Sequence, residues 1–128
     1  MKGYVKDIGQ ATKENNNFRQ VVYTAKYCQL VLMSLKPGEE IGEEVHETVD
    51  QFFRFEEGEC KVVLDGVEHK IEAEYAVLVP AGTKHNIINT GATPLKLYTI
   101  YTPPEHKDGT IHITKAEALA DEHDHFEA

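Results

Sequence analysis

The chain has 128 residues, enough for one domain around one core, and no apolar run approaches the roughly 20 residues that a membrane helix needs. Its formal charge of −9, from 22 acidic against 13 basic side chains, disfavours nucleic acid and anionic lipid, whose recognition relies on clustered cations. A soluble globular protein that meets neither nucleic acid nor membrane is expected.

The first stretch, "MKGYVKDIGQATKENNNF", has no apolar h-region and no small-residue cleavage site, so a cytoplasmic location is expected. Cys28 and Cys60 are the only cysteines and form no C-x-x-C pair; both read as reduced strand thiols.

Strand signals dominate from there on. "FRQVVYT", "CQLVLMSL", "QFFRF", "KVVL", "VEHKIE", "AVLVP", "HNIIN" and "LKLYTIY" are short runs rich in Val, Ile, Leu, Phe and Tyr, separated by turn residues such as Pro37-Gly38, Ala81-Gly82 and Thr90-Gly91. Asp65-Gly66 predicts a two-residue hairpin, because a type I′ turn needs positive φ at both central positions. Eight strands at this spacing predict an all-β sandwich or barrel. One helix is expected, at the C-terminal end, where Thr114 and Glu117 have capping-box spacing ahead of "KAEALADE". The chain therefore reads as a single domain over 1–128, with the barrel over about 18–103 and the helix and tail over about 114–128.

The acidic run "PGEEIGEEVHETVD" reads by default as a solvated face. Within it, Glu44 and His46 are two apart, so on extended backbone both side chains project to one side. On the following strand Gln51 shares its face with Phe53 and Phe55, and a buried amide there needs a partner. Some thirty residues on, His85 heads a face shared with Ile87 and Asn89. By the same alternation Tyr101 joins Leu97 and Thr99, which places its hydroxyl within reach of a pocket, and Gln29, Val31 and Met33 form pocket wall or core. His106 and His112 read as loop and strand-edge residues. The pair His123 and His125 reads as a frayed helix end rather than a second metal site.

At these residues the chain resembles the cupin superfamily, small double-stranded β-helix (jelly-roll) barrels defined by two motifs. The first motif maps onto Gly38, Glu44, His46, Gln51 and Gly58, and the second onto Glu74, Pro80, Gly82, His85 and Asn89, without insertions. Three positions depart from the pattern. Glu74 stands at a turn glycine, Glu44 at the first histidine and Gln51 at the glutamate. The two ligand changes compensate: a three-His, one-Glu set and the set Glu44, His46, Gln51 and His85 each carry one negative charge.

The resemblance implies that these four residues hold one divalent ion. Imidazole, carboxylate and amide oxygen suit Mn²⁺, Fe²⁺, Zn²⁺, Co²⁺ or Ni²⁺. Two remaining positions of an octahedral ion would serve a small-molecule substrate. Glu-x-His is similar to the Gln-x-His of zinc-dependent mannose-6-phosphate isomerases, which implies Lewis-acid, isomerase-like chemistry; Tyr101, placed by alternation, reads either as a catalytic hydroxyl at such a site or as a plain core tyrosine. No Lys/Arg cluster for a sugar phosphate is evident. Two other readings follow from the same resemblance: a dioxygenase, since two His and one carboxylate are similar to the triad of non-haem iron enzymes, and a non-catalytic module that binds or senses a small molecule. The resemblance also implies a homodimer, with "FRQVVYT" adding a strand to a neighbour's sheet.

Overall fold

A computed structural model of the chain describes residues 2–126; the last two residues of the expected tail lie outside that range. The strands are β1 (Arg19–Thr24), β2 (Gln29–Leu35), β3 (Asp50–Glu57), β4 (Glu59–Leu64), β5 (Val67–Glu72), β6 (Ala76–Val79), β7 (His85–Asn89), β8 (Leu95–Thr102) and β9 (Ile111–His112). Two short helices flank them, α1 (Ile8–Glu14) and α2 (Lys115–Ala120). All eight expected strands form.

They make two antiparallel sheets in the expected jelly-roll arrangement, one with the order β6-β3-β8-β2-β1-β9 and one with the order β5-β4-β7. Alternation decides the inner faces. Along β3, Gln51, Phe53 and Phe55 are buried, while Phe52 and Arg54 are only partly so. Phe53, Phe55, Val31, Met33, Leu35, Leu95 and Leu97 from the large sheet pack in one core cluster with Cys60, Val62, Ile71 and Ile87 from the small one. Each such side chain contributes about 1.5–3 kcal/mol by leaving water.

The hairpin between β4 and β5 forms as expected, with Asp65 at φ +47, Gly66 at φ +81 and Leu64 paired to Val67. The acidic run behaves differently from a regular strand. It lies along β7 through two isolated bridges, Glu40 with Ile88 and Glu44 with His85. The pairing slips by one residue between them, around Gly42 at φ +109, a conformation open to glycine and strained for other residues.

Three features correct the sequence reading. A second helix, α1, forms near the N-terminus: Asp7 caps it by accepting from the Gln10 N–H at 3.1 Å, and Thr12 is fully buried. Lys96 on β8 donates to the carbonyl of Asn15, which anchors the helix end to the sheet. Seven residues with a glycine make a weak helix alone, so this docking, invisible in the local pattern, decides it. The second correction is β9, which pairs with Arg19 and Gln20. The edge expected to be open along 18–24 is occupied as far as Val21, whose N–H donates to the Thr110 carbonyl at 2.9 Å. The third concerns Cys28, which is exposed just before β2 rather than within it, whereas Cys60 is buried; both are free thiols.

At the expected C-terminal helix, Thr114 accepts from the Glu117 N–H at 3.2 Å, so the capping reading holds. The turn at Glu74 explains the glycine of the motif. Glu74 sits at φ +76, and its backbone N–H donates to the Phe55 carbonyl at 2.7 Å. Its side chain is exposed, so the left-handed backbone is strained with little compensation. Glu74→Gly is expected to raise unfolding free energy by about 0.5–1 kcal/mol in urea titrations, the relief exceeding the extra chain entropy of glycine. A less stable variant would show that the Glu74 side chain supports the turn.

Candidate metal centre

Glu44 and His46 project together from the extended segment before β3, and His85 opens β7 on the opposite sheet. The Glu44–His85 bridge closes with two backbone hydrogen bonds, each 2.9 Å, so the two side chains are set against each other by main-chain pairing. One ligand atom from each of Glu44, His46 and His85 lies within 4.8 Å of the others, a group able to hold a metal ion.

The local contacts suit that role. His85 Nδ1 lies 3.0 Å from the Thr83 carbonyl, which can only accept, so Nδ1 carries the proton and Nε2 of the neutral ring keeps its lone pair. His46 Nε2 lies 2.9 Å from Glu44 Oε2, yet off the direction of a ring N–H, and it is buried without a directed hydrogen-bond partner. The far side of the ring faces Glu105, 3.6 Å from Nδ1. Burial would raise the Glu44 carboxyl, but the adjacent His46 outweighs it and holds the carboxyl below its ordinary value. In return the Glu44 carboxylate raises His46 against the effect of burial.

Gln51 faces the interior as expected and is buried. Its Nε2 donates to Thr99 Oγ1 at 2.9 Å, which orients the amide and leaves Oε1 buried without a partner. Two orphaned donor atoms beside a converging carboxylate and imidazole are what a cation needs and what a satisfied core avoids. The residues present therefore fit a divalent ion.

Tyr101 is buried edge-on to His46, with 6.0 Å between ring centroids. Its partner is a residue the sequence reading placed in a loop: His106 is buried, with Nε2 3.0 Å from the Tyr101 hydroxyl and Nδ1 2.7 Å from Asp124 Oδ2. An ionised carboxylate only accepts, so Nδ1–H donates to Asp124, and with the ring neutral the tyrosine hydroxyl donates to Nε2. Gln29 clamps the loop, its amide accepting from the His106 N–H at 2.9 Å and donating to the His106 carbonyl at 2.8 Å.

His112, expected at a strand edge, is also buried, between Arg19 Nη1 at 3.3 Å and Asp121 Oδ2 at 2.9 Å. The tail read as a frayed helix end is thus docked through Asp121 and Asp124. The weak signal for this was the spacing of acids around His123 and His125; the acids bind, and the two histidines do not join the centre.

A small two-sheet barrel with carboxylate and imidazole converging between the sheets defines the class of protein. The cupin domain family matches residues 31–101, and the chain belongs to the cupin family. The chain is 50% identical over 127 residues to the uncharacterized protein YrkC of Bacillus subtilis (strain 168), covering 94% of this chain and 68% of that one. The crystal structure of BH2720 from Bacillus halodurans superposes with a TM-score of 0.92 at 44% identity, over 94% of this chain and 96% of that one. TT1209 from Thermus thermophilus superposes with a TM-score of 0.69 at 27% identity, over 77% of this chain and 96% of that one.

Burial would raise the Asp124 carboxyl, but the hydrogen bonds from His106 and from the Lys107 backbone hold it at about 2, against an ordinary 3.8. Its folded value is depressed, so the stabilisation is complete above about pH 4 and is lost as pH falls toward 2. Because Asp124 is only partly buried, its worth is about 1 kcal/mol after solvent screening. Asp124→Asn is expected to lower stability by that amount at pH 7, with the gap from wild type narrowing below pH 4 in urea titrations. A gap that stays constant down to about pH 2.5 would show that the His106 contact does not depend on the charge.

Proposed function

We propose that this cupin is a cytoplasmic, single-domain, metal-dependent enzyme acting on a small oxygenated molecule. In this reading Glu44, His46, Gln51 and His85 hold one divalent ion, of Zn, Mn, Fe, Ni or Co. The observation that carries it is the convergence of Glu44, His46 and His85, one ligand atom from each within 4.8 Å of the others, with His46 Nε2 and Gln51 Oε1 buried and without a directed partner in the protein. A divalent ion held there would supply Lewis acidity to a hydroxy-carbonyl compound, as in aldose–ketose isomerisation.

The chain's own residues do the rest. Glu44 carries the one negative charge of the set, and the Thr83 carbonyl holds His85 in the tautomer whose Nε2 is free to bind. Thr99 turns the Gln51 oxygen away from its own hydroxyl and toward the interior. Phe53 and Phe55, stacked with 6.2 Å between centroids, keep water from the inner side. Tyr101 is the catalytic hydroxyl of this proposal. Burial pushes its phenol up, so it serves as a neutral hydrogen-bonding group, backed by His106, and not as a phenolate base.

Two imidazoles and one carboxylate also favour a dioxygenase as second reading, with a redox-active ion in the same place. Metal analysis of protein purified without added metal, followed by assays of aldose–ketose exchange and of O₂ uptake with candidate diketones, separates the two. His46→Ala and His85→Ala are each expected to lose stoichiometric metal, whereas Gln51→Ala weakens binding by about tenfold, as an amide contributes less than an imidazole. Full metal content in either histidine variant would remove the proposed centre. Inertness in every assay alongside ligand binding would favour a binding module.

A homodimer completes the proposal, joined along the part of β1 beyond Val21, past the pairing with the 110–113 segment. Light scattering at micromolar concentration is expected to give twice the chain mass; a monomer mass would reject it.

A further inference from the structure

A cavity of about 230 Å³ opens beside the metal-binding group, under the C-terminal segment. Glu44 lines it on one side, and Asp121, Asp124, Lys115 and Arg19 line it on the others. Arg19 is the unusual member. It comes from β1, outside both motifs, and only 8% of its surface is exposed.

A buried guanidinium is normally neutralised by a carboxylate, because an unpaired buried charge is costly. Among the described residues no carboxylate lies within the 4.0 Å of an ion pair with Arg19, although three acids line the same cavity. Two of those acids are held by histidines, Asp121 by His112 at 2.9 Å and Asp124 by His106 at 2.7 Å, and Glu44 belongs to the metal-binding group of the proposal. Arg19 Nε is buried with no hydrogen-bond partner.

What holds Arg19 does not discharge it. The Phe18 ring lies 5.3 Å from its central carbon, and Nη1 meets a ring nitrogen of His112 at 3.3 Å. With Asp121 accepting from His112 Nε2–H, the His112 Nδ1 lone pair accepts from Arg19. A neutral imidazole thus orients the guanidinium and leaves its charge available. That charge faces the metal-binding group of the proposal, since Arg19 and Glu44 line the same cavity. Lys115 adds a second cation to the wall.

We infer that Arg19 is the carboxylate-binding residue of this site and that the substrate is a small carboxylic acid. Its anionic end pairs with the guanidinium, and its other oxygens reach the group formed by Glu44, His46 and His85. The inference rests on the metal reading above and narrows its substrate class. A planar fork of N–H donors matches a carboxylate in geometry as well as charge. The volume is below the roughly 300–1,000 Å³ of pockets for larger ligands, which suits a compact acid.

The test is calorimetric titration of zinc-loaded protein with glycolate, pyruvate, 2-oxobutanoate and malonate, each beside its uncharged amide. At least one acid is expected to bind with Kd below about 1 mM, and its amide at least about tenfold more weakly. Arg19→Gln is expected to weaken the acid by about tenfold or more without changing amide binding or zinc content, and Arg19→Lys to fall between, keeping the charge and losing the fork. The comparison of acid with amide on the wild-type protein stands even if Arg19→Gln fails to fold. No acid binding, equal binding of acid and amide, or an Arg19→Gln protein that binds acid as the wild type does would each overturn the inference, as would inorganic phosphate binding in place of every acid. Zinc content measured on the same samples separates the two readings: zinc retained without acid binding defeats this inference alone. If the protein takes up no zinc, the same titration without metal still decides it, with Arg19-dependent acid binding in favour and its absence against.

Discussion

Two backbone hydrogen bonds, from the Glu44 N–H to the His85 carbonyl and from the His85 N–H to the Glu44 carbonyl, each 2.9 Å, tie the acidic segment to the first residue of β7. The candidate metal-binding group depends on this pairing. It converts residues about forty positions apart into cross-strand neighbours, whose side chains meet at the spacing that pairing imposes. The slip at Gly42 matters for the same reason. A shift of one residue in register would send Glu44 and His46 to the opposite face.

Around that bridge the barrel interior changes character along its length. At one end Phe55, Leu35, Leu95 and Leu97 of the large sheet face the interior, all fully buried. At the other, the inward positions carry Gln29, Gln51, Thr99, Tyr101 and His85, and nearly every polar atom among them is paired. Such a layer is stable only when satisfied, so the exceptions carry information. Gln51 Oε1 and His46 Nε2 are exceptions beside the donor group, and Arg19 Nε is one beside the cavity.

The C-terminal segment ties this polar end to the surface. Asp121 and Asp124 each accept a hydrogen bond from a buried histidine, and these histidines in turn reach Arg19 and Tyr101. A helix with no buried residue of its own would not dock by apolar contact alone; two charge-assisted hydrogen bonds and the partly buried Ala118 hold it over the cavity. Two acids of the tail, Asp121 and Asp124, are therefore structural, each held by a histidine rather than by Arg19.

The sequence by itself determined the strands, the Asp65-Gly66 hairpin and the inward faces of β3, β7 and β8, because these follow from period-two alternation and turn chemistry that each segment carries locally. The spacing of two motifs also determined Glu44, His46, Gln51 and His85 as candidates. Only the tertiary structure decided what depends on pairing between distant segments. Helix α1 exists because Lys96 and the sheet receive it, and β9 exists because β1 offers an edge. His106 and His112 read as loop and edge residues because their partners, Asp124 and Tyr101 for the one and Asp121 and Arg19 for the other, are brought to them by the fold. Alternation tells which way a side chain points, but a charged group's meaning depends on whether an opposite charge stands within a few ångströms of it. That distance is set by folding in three dimensions, and no local pattern encodes it.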